Sequence, residues 1–230
     1  MGDRPYTLLS CAMSIDGFLD DTADQRLLLS NDADFDRVDA LRATCDAILV
    51  GAATVRKDDP YLLVRTAARR DERVGRKLPS SPTKVTVTRS AELAPSANFF
   101  SAGDASKLVY CARDAVPEAR DRLGSLATVI DGGPDVNMRW LSQDLYTRGV
   151  RRLMVEGGGT IYTQFLTAEL ADELQLVIAP FFVGDNRARR FVGDGNFPWN
   201  PGRRASLAEV RTIDDVVLLR YALSTRFRID

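Results

Sequence analysis

The sequence predicts an α/β protein with a mostly parallel sheet, helices on its faces and antiparallel strands at the C-terminal end. Short apolar runs alternate with segments of helical periodicity through most of the chain, as in sheets covered on both faces. Near the C-terminus the strand-like segments 205–211 and 216–223 follow one another without a helical crossover, so the sheet should finish antiparallel. A chain of 230 residues, 45% of them apolar, can bury a sizeable core, and we expect residues 1–230 to form a single domain.

The first elements form a strand-helix-strand unit. The mostly apolar run 6–13 predicts a strand that ends in the turn-like sequence 14–17. Asn31 or Asp32 can cap the helix that follows, because apolar residues then recur at helical spacing. The continuous apolar run 46–51, ended by glycine, predicts a buried second strand.

The later elements continue the alternation. A short helix over 52–58 should end before Pro60, because the residue that precedes a proline is pushed out of the helical region. The polar, basic segment 65–82 is interpreted as a surface loop or excursion. Further strands are expected at 84–88, 107–111, 127–130, 152–155 and 174–183, and further helices at 116–123, 136–148 and 160–170.

Composition excludes several classes of function. The 31 basic and 32 acidic residues nearly cancel, so no overall positive field favours nucleic acid or a membrane surface. The chain has no histidine, which excludes histidine-based triads and histidine metal ligands, and we expect no metal. Three widely spaced cysteines indicate neither a disulfide framework nor a zinc site, so we expect a protein of the reducing cytoplasm. The apolar runs are too short to cross a bilayer.

The most informative motif is a glycine triplet, Gly157-Gly158-Gly159, that lies directly after a predicted strand and directly before a predicted helix. Glycines let the backbone approach a ligand closely, and the free N–H groups of a helix start suit a pyrophosphate. Thr160 can cap this helix or donate to phosphate. The spacing matches neither Gly-x-Gly-x-x-Gly nor a Walker loop, and a tight turn without ligand is the alternative.

Glu156 precedes the triplet, at the carboxyl end of its strand, where ligands collect in open α/β sheets. A carboxylate would repel a phosphate. A role toward a sugar hydroxyl or a reacting centre is therefore more sensible for Glu156, and a solvated or ion-paired turn residue is the alternative.

A second candidate site begins where Gly51 ends a strand and a helix follows, so backbone N–H donors can again meet a ligand. Asp58 and Asp59 are adjacent carboxylates, and repulsion between them would raise one pKa if both pointed inward. The sequence does not decide which of the two faces a site, and a plain polar turn is the alternative. Arg65 follows as a further candidate ligand for phosphate.

Two further strand ends carry polar residues. Ser14 and Asp16 follow the first strand in an ordinary turn whose function the local sequence leaves unspecified. Thr88 and Arg89 follow another strand, and an arginine beside hydroxyl groups suits the 2′-phosphate of NADP. An exposed strand-end arginine is the alternative for Arg89.

Taken together, the segments 12–17, 46–65 and 155–160 resemble, in order and spacing, the riboflavin-biosynthesis pyrimidine reductases, and the likeness extends through 174–184. The resemblance implies a dihydrofolate-reductase-like, three-layer α/β/α fold without the fused deaminase domain. It implies NADPH-dependent reduction of a ribosylaminopyrimidine 5′-phosphate, of the 5-amino-6-(5-phosphoribosylamino)uracil type, to the ribityl form. It also implies a homodimer.

The resemblance further implies roles for individual residues. Asp59 and Glu156 would be catalytic. Four residues would bind the substrate: Ser14, Asp16, Asp58 and Arg65. Eight residues would bind NADPH: Gly51, Thr54, Thr88, Arg89, Gly157, Gly158, Gly159 and Thr160. The turns at Gly51 and Gly157 are thus expected to contact the same dinucleotide.

Two features depart from the family pattern. Phe18 stands where many members have a lysine, and the segment 27–31 lacks a tryptophan that is common there. Either change leaves open a related pyrimidine or a pterin- or dihydrofolate-like substrate in a specialised pathway. A non-catalytic nucleotide-binding protein of the same fold is the alternative from another class.

Overall fold

The computed structural model describes residues 3–23, 25 and 27–228. Over these residues the chain alternates between strands and helices. The elements are β1 (Tyr6–Ser14), α1 (Asp32–Ala43), β2 (Ala47–Gly51), α2 (Ala52–Asp58), α3 (Ala67–Gly75), β3 (Thr83–Thr88), α4 (Asn98–Ser101), β4 (Lys107–Cys111), α5 (Val116–Leu123), β5 (Thr128–Asp131), α6 (Met138–Thr147), β6 (Arg152–Gly157), α7 (Gly159–Thr167), β7 (Glu173–Ala179), β8 (Ser206–Ile213) and β9 (Val216–Ala222).

The chain divides into two compact units, and each is described by itself. Of the described residues, the first unit comprises Val38–Met154 with residues 3–5, and the second comprises those within Tyr6–Arg37 and within 155–228. The single domain expected from the sequence stays a prediction.

In the first unit the strand order is β5-β4-β3-β2, followed by the first residues of β6. The pairs β2–β3, β3–β4 and β4–β5 are all parallel. Gly51 lies opposite Val87, and Thr88 lies opposite Cys111, so these strands end at one edge of the sheet. β2 is buried along its whole length, as its continuous apolar sequence predicted.

In the second unit the order is the last residues of β6, then β1, β7, β9 and β8. β1 and β7 are parallel, and Ser14 lies opposite Ala179. β9 pairs antiparallel with both β7 and β8. The predicted fold class, a mostly parallel sheet that finishes antiparallel, is therefore confirmed.

Local signals positioned two helix ends correctly. The backbone N–H of Asp34 donates to Oδ1 of Asn31 at 2.9 Å, so Asn31 caps α1, one of the two predicted caps. α2 covers the predicted residues and ends where Asp59 adopts a left-handed conformation, φ 40°, before Pro60.

The interpretation of residues 65–82 as a loop was wrong in part, because α3 lies within that segment. Arg73 is buried on the inner side of α3. Its side chain donates to the carbonyl oxygens of Ala43, Cys45 and Pro79, each at 2.8 Å. The residue that this helix buries is an arginine, so no stripe of large apolar residues marks its inner face in the sequence.

Among the residues that the structure describes, no helix combines the length and the apolar character needed to cross a membrane.

Candidate active site

The glycine triplet of the second unit opens α7. Gly158 is the N-cap residue, with φ −96° and ψ −177°, and no side chain caps the helix start. The peptide bond between Gly157 and Gly158 is cis. Thr160 is the second residue of α7, so the first of its two predicted roles, the helix cap, was wrong. Thr160 is exposed, and its other role, donation to phosphate, stays a prediction. The helix start therefore leaves its first backbone N–H groups without a side-chain cap. The binding of an anion there stays a prediction.

Gly159 is packed against the backbone of a later segment. A Cβ at this position would lie 2.4 Å from the carbonyl oxygen of Arg190, closer than a carbon atom can approach. Farther along the same segment, the backbone N–H of Gly193 donates to Oγ1 of Thr163 on α7 at 2.9 Å. Residue 159 therefore has a packing reason to be glycine that is independent of any ligand.

The turn after β1 is held together by Asp16. Its carboxylate accepts hydrogen bonds from the Ser14 hydroxyl at 2.5 Å and from the backbone N–H groups of Val183 at 3.1 Å and Gly184 at 2.8 Å. Partial burial alone would raise the pKa of Asp16, but these hydrogen bonds lower it to about 2. The buried Ser14 hydroxyl also accepts from the backbone N–H of Phe18 at 3.1 Å. Both predicted substrate ligands thus shape the turn itself.

Phe18, the position that departs from the family pattern, is 3% exposed. The guanidinium of Arg190 lies 4.6 Å from the centre of its ring. The backbone N–H of Phe191 donates to the carbonyl oxygen of Gly17 at 3.0 Å. Since Arg190 also contacts Gly159, the segment 181–191 lies against both the Asp16 turn and the start of α7. The structure thereby brings these two predicted turns together through a segment to which the sequence assigned no role.

Glu156 is half-buried and is the next-to-last residue of β6. The Tyr162 hydroxyl on α7 donates to the carbonyl oxygen of Ser10 at 2.6 Å. Burial raises the pKa of Tyr162, and the neighbouring Cys11 and Glu156 side chains raise it further. Tyr162 therefore stays a neutral hydrogen-bond donor near Glu156.

In the first unit, Gly51 is the N-cap of α2, with φ −72° and ψ 152°, and contributes no side-chain cap. Thr54, in the first turn of this helix, is half-buried. The predicted helix start after a glycine-ended strand is present, and Gly51 lies at the same sheet edge as Thr88.

The adjacent carboxylates occupy different positions. Asp58 is the half-buried last residue of α2. Asp59 is exposed, and its carboxylate accepts hydrogen bonds from the backbone N–H and from Nδ2 of Asn98, both at 2.7 Å. Asn98 begins α4, so Asp59 caps that short helix from a distance of 39 residues along the chain.

Thr88 and Arg89 differ in exposure. Thr88 is buried, and its hydroxyl oxygen accepts from the backbone N–H of Ala91 at 3.1 Å. Arg89 is exposed and pairs with Asp135, which is also exposed. Arg89 is therefore accessible to a ligand that can displace Asp135.

Arg65 has a partner that sequence reasoning missed. The backbone N–H of Arg65 donates to Oδ1 of Asp39 on α1 at 2.5 Å. Asp39 lies between the apolar residues Val38 and Leu41 of a helix and looks like an ordinary helical acid in the sequence, so no local signal could have found it.

The framework is that of a pyrimidine reductase with a dihydrofolate-reductase-like fold. It combines parallel strands that end in glycine turns, helix starts without side-chain caps, and antiparallel strands at the C-terminal end. A family model described as the RibD C-terminal domain matches residues 5–219, and the chain belongs to this family. It is an oxidoreductase of riboflavin biosynthesis, a class that uses a nicotinamide cofactor.

Two curated relatives and one solved structure show the extent of the similarity. The 2,5-diamino-6-ribosylamino-4(3H)-pyrimidinone 5′-phosphate reductase of Archaeoglobus fulgidus is 36% identical over 182 residues, covering 79% of this chain and 83% of the relative. The protein of the same name from Methanothermobacter thermautotrophicus is 33% identical over 222 residues, covering 96% and 99%. The crystal structure of a pyrimidine reductase-like protein from Corynebacterium diphtheriae gives a TM-score of 0.79 at 21% identity, covering 95% of this chain and 91% of that one, which shows the shared fold.

Proposed function

We propose that this chain reduces a ribosylaminopyrimidine 5′-phosphate to its ribityl form with NADPH. One observation supports this most strongly: in a chain of this family, the start of α7, which has no side-chain cap, is separated from Glu156 by only two glycines. An anion-binding backbone and a carboxylate are thus adjacent at the end of one strand. That combination suits a phosphate-bearing cofactor next to a polar reacting group.

The residues present fit a dinucleotide phosphate. The backbone N–H groups at the start of α7, with Gly157, Gly158, Gly159 and Thr160, would hold a pyrophosphate, because Gly158 supplies no side chain that competes for them. Gly51 and Thr54, at the start of α2, are the further residues that we propose to bind NADPH. Bound NADPH supplies the hydride that reduces the former anomeric carbon of the sugar.

Thr88 and Arg89 would distinguish NADPH from NADH. Arg89 is exposed at the carboxyl end of β3, where its guanidinium can exchange Asp135 for a 2′-phosphate. The hydroxyl of Thr88 holds the backbone of Ala91 and so fixes the turn that carries Arg89.

The carboxylates would bind the sugar and move its protons. Opening of the ribose ring leaves the ring oxygen in need of a proton, and Asp59 and Glu156 are the proposed acid-base groups. A positioned carboxyl group contributes about 10²- to 10⁴-fold to such a step. Asp58 and Arg65 would hold the substrate, and Arg65 would bind the 5′-phosphate of the substrate. Ser14 and Asp16 would support the substrate side through the turn that they shape.

The names of the two relatives favour one form of the pyrimidine. Both are reductases of a 2,5-diamino-pyrimidinone, whereas the sequence led us to expect a 5-amino-uracil of the same ribosyl phosphate. We propose that this chain prefers the diamino form.

The test is to follow NADPH oxidation by the purified protein with both pyrimidine phosphates and with dihydrofolate as separate substrates. We expect turnover of both pyrimidines, with the higher kcat/KM for the diamino form, and transfer of deuterium from labelled NADPH to the first carbon of the ribityl chain. Oxidation with dihydrofolate but with neither pyrimidine would overturn the proposed function. Tight NADPH binding without any turnover would identify a non-catalytic nucleotide-binding protein.

We also propose that the protein works in the cytoplasm as a homodimer. The three cysteines are free and buried, which fits a reducing compartment. Sedimentation equilibrium of the purified chain tests the dimer, and a mass of one chain across the concentration range would contradict it.

A further inference from the structure

The carboxylate of Asp39 organises the backbone that carries Arg65. Asp39 lies on α1 with its side chain 1% exposed. It accepts hydrogen bonds from the backbone N–H of Arg65 at 2.5 Å and from the N–H and hydroxyl of Thr66 at 3.2 and 2.8 Å. Nη1 of Arg69 on α3 donates to it at 2.9 Å. One buried carboxylate thus holds two consecutive amides of a loop and the helix that follows.

Side chains also hold the neighbouring backbone groups of this loop. Nη1 of Arg42 donates to the carbonyl oxygen of Leu63 at 3.2 Å, and Nη1 of Arg70 donates to that of Val64 at 3.1 Å and to that of Arg65. The backbone N–H of Val64 donates to the Ser81 hydroxyl at 3.1 Å. The loop therefore has one fixed backbone conformation although no sheet or helix contains it.

Burying an ionised carboxylate is costly unless it is paired and hydrogen-bonded. Burial alone would raise the pKa of Asp39, but the hydrogen bonds from Arg65, Arg69 and Thr66 lower it to about 2. Asp39 is therefore a stable anion at neutral pH. Oδ1 of Asp39 lies 4.0 Å from Nε of Arg65, so the carboxylate also pairs with the Arg65 guanidinium, and the Arg65 side chain is 59% exposed.

We propose that Asp39 is a positioning residue: it fixes the Arg65 backbone so that the guanidinium is held ready for the 5′-phosphate of the substrate. This inference rests on the proposed function, which assigns Arg65 to that phosphate. Preorganisation matters because a binding group that is already ordered loses less conformational entropy when the ligand arrives. The mostly polar helix α3, which the sequence did not predict, serves the same purpose by carrying Arg69 and Arg70.

A purely structural role for Asp39 makes a different prediction. If Asp39 only fastened α3 to α1, its loss would lower stability and affect all ligands alike. If it acts through Arg65, its loss should weaken only the recognition of phosphate. The phosphorylated substrate and the same ribosylaminopyrimidine without its phosphate separate these two roles.

Asp34 offers a matched control on the same helix. It is also a buried aspartate paired with an arginine, since Nε of Arg37 donates to it at 2.6 Å, but its other side-chain partner is Ser30, outside the Arg65 loop. Asp39→Asn should raise the KM for the phosphorylated substrate about tenfold or more, with little change in kcat, as expected for loss of a hydrogen-bonded charge. The KM for the unphosphorylated substrate should be unchanged. Asp34→Asn should leave the ratio between the two substrates at its wild-type value.

A double-mutant cycle with Arg65→Ala completes the test. We expect Asp39→Asn to have no further effect on phosphate recognition once Arg65 is alanine. Additive effects, or an equal loss with the unphosphorylated substrate, would overturn the inference. Should Asp39→Asn fail to fold, Arg69→Gln removes one partner of Asp39 from a half-exposed position and should show a smaller change of the same kind, or else the inference fails.

A binding measurement keeps this inference separate from the proposed function. Calorimetry with ribose 5-phosphate needs no turnover, and affinity should fall about tenfold in both Arg65→Ala and Asp39→Asn but not in Asp34→Asn. Absence of pyrimidine turnover in the wild type, together with this binding pattern, would defeat the proposed function alone. Wild-type affinity in Asp39→Asn would defeat the inference.

Discussion

The carboxylate of Asp59 holds Asn98 by two hydrogen bonds of 2.7 Å, one from the backbone N–H and one from the side-chain amide. This relationship orients the carboxylate that we propose as an acid-base group. It also separates Asp59 from Asp58, which the sequence could not distinguish. Asp59 is oriented by a neutral donor from α4, and Asp58 ends the preceding helix.

The first prediction therefore compares Asp59 with its partner. Asp59→Asn should lower kcat by about 10²-fold or more, because an amide cannot exchange the proton that the opening ribose requires. Asn98→Ala should destabilise the protein by about 1 kcal/mol through loss of the contacts at the start of α4, with a much smaller effect on kcat. Steady-state kinetics and urea denaturation of both variants provide the comparison. Loss of stability with wild-type kcat in both variants would restrict Asp59 to capping α4.

The second prediction concerns the choice of cofactor. Arg89→Ala should reduce the preference for NADPH over NADH about tenfold or more, because a charge-assisted hydrogen bond to the 2′-phosphate is lost. Asp135→Asn removes the competing carboxylate and should increase the preference at low salt. Arg113→Ala is a suitable control, since Arg113 is another exposed arginine paired with an aspartate, Asp131. Equal kcat/KM ratios for the two cofactors in wild type and Arg89→Ala would leave Arg89 an ordinary surface charge.

The elements that sequence reasoning predicted are those set by local signals. The glycine-ended strand β2, the helix α2 that stops before Pro60 and the helix α7 after the glycine triplet all depend on residues next to one another. A conformational preference or a helix dipole acts over one turn, so it leaves a pattern in a short window.

The features that sequence reasoning missed depend on contacts between distant residues. Arg73 makes α3 a helix by donating to carbonyl oxygens of residues 43 and 45, about 30 positions earlier. Asp39 positions Arg65, which lies 26 residues later in the chain, and Asn98 positions Asp59, which lies 39 residues earlier. Such hydrogen bonds have no periodicity, and an isolated aspartate or asparagine in the sequence carries no sign of them.

The third prediction separates packing from cofactor binding at the glycine triplet. Gly159→Ala should destabilise the protein by about 1–3 kcal/mol, because its Cβ would lie 2.4 Å from the Arg190 carbonyl oxygen and the backbone must shift. Gly193→Ala is the control, since its Cβ would meet only Oγ1 of Thr163 at 3.8 Å, an ordinary contact. Thermal unfolding of the two variants measures the difference, and equal stability would remove the packing argument for Gly159.

The fourth prediction is that substitution of Gly158 weakens NADPH binding and leaves the protein folded, in contrast to substitution of Gly159. Its backbone is extended, with φ −96°, a conformation that any residue can adopt, so Gly158→Val should fold. The branched side chain would crowd the approach of a pyrophosphate to the start of α7 and raise the Kd for NADPH about tenfold or more. Fluorescence titration with NADPH measures this change. Wild-type affinity in a folded Gly158→Val would take this turn out of the cofactor site.

The last prediction follows from the low pKa of Asp16. Hydrogen bonds from Ser14, Val183 and Gly184 lower that pKa to about 2, whereas an aspartate in the unfolded chain titrates near pH ~3.9. Between these values the unfolded state binds more protons than the folded state, so stability falls as the pH falls from about 4 to about 2. Above pH ~4 the contribution of the ionised Asp16 is fully present.

Asp16→Asn should therefore be less stable than wild type at neutral pH, and the difference between the two should shrink as the pH falls through this range. Denaturant unfolding at a series of pH values measures the difference directly. Asp121→Asn, which removes an exposed carboxylate from α5, controls for the change in net charge. Because Asp16 also holds residues 183 and 184 of the segment 181–191, which contacts Gly159, its loss should weaken NADPH binding as well. A constant difference in stability from pH 7 down to pH 2 would show that Asp16 does not act on folding through its ionised carboxylate.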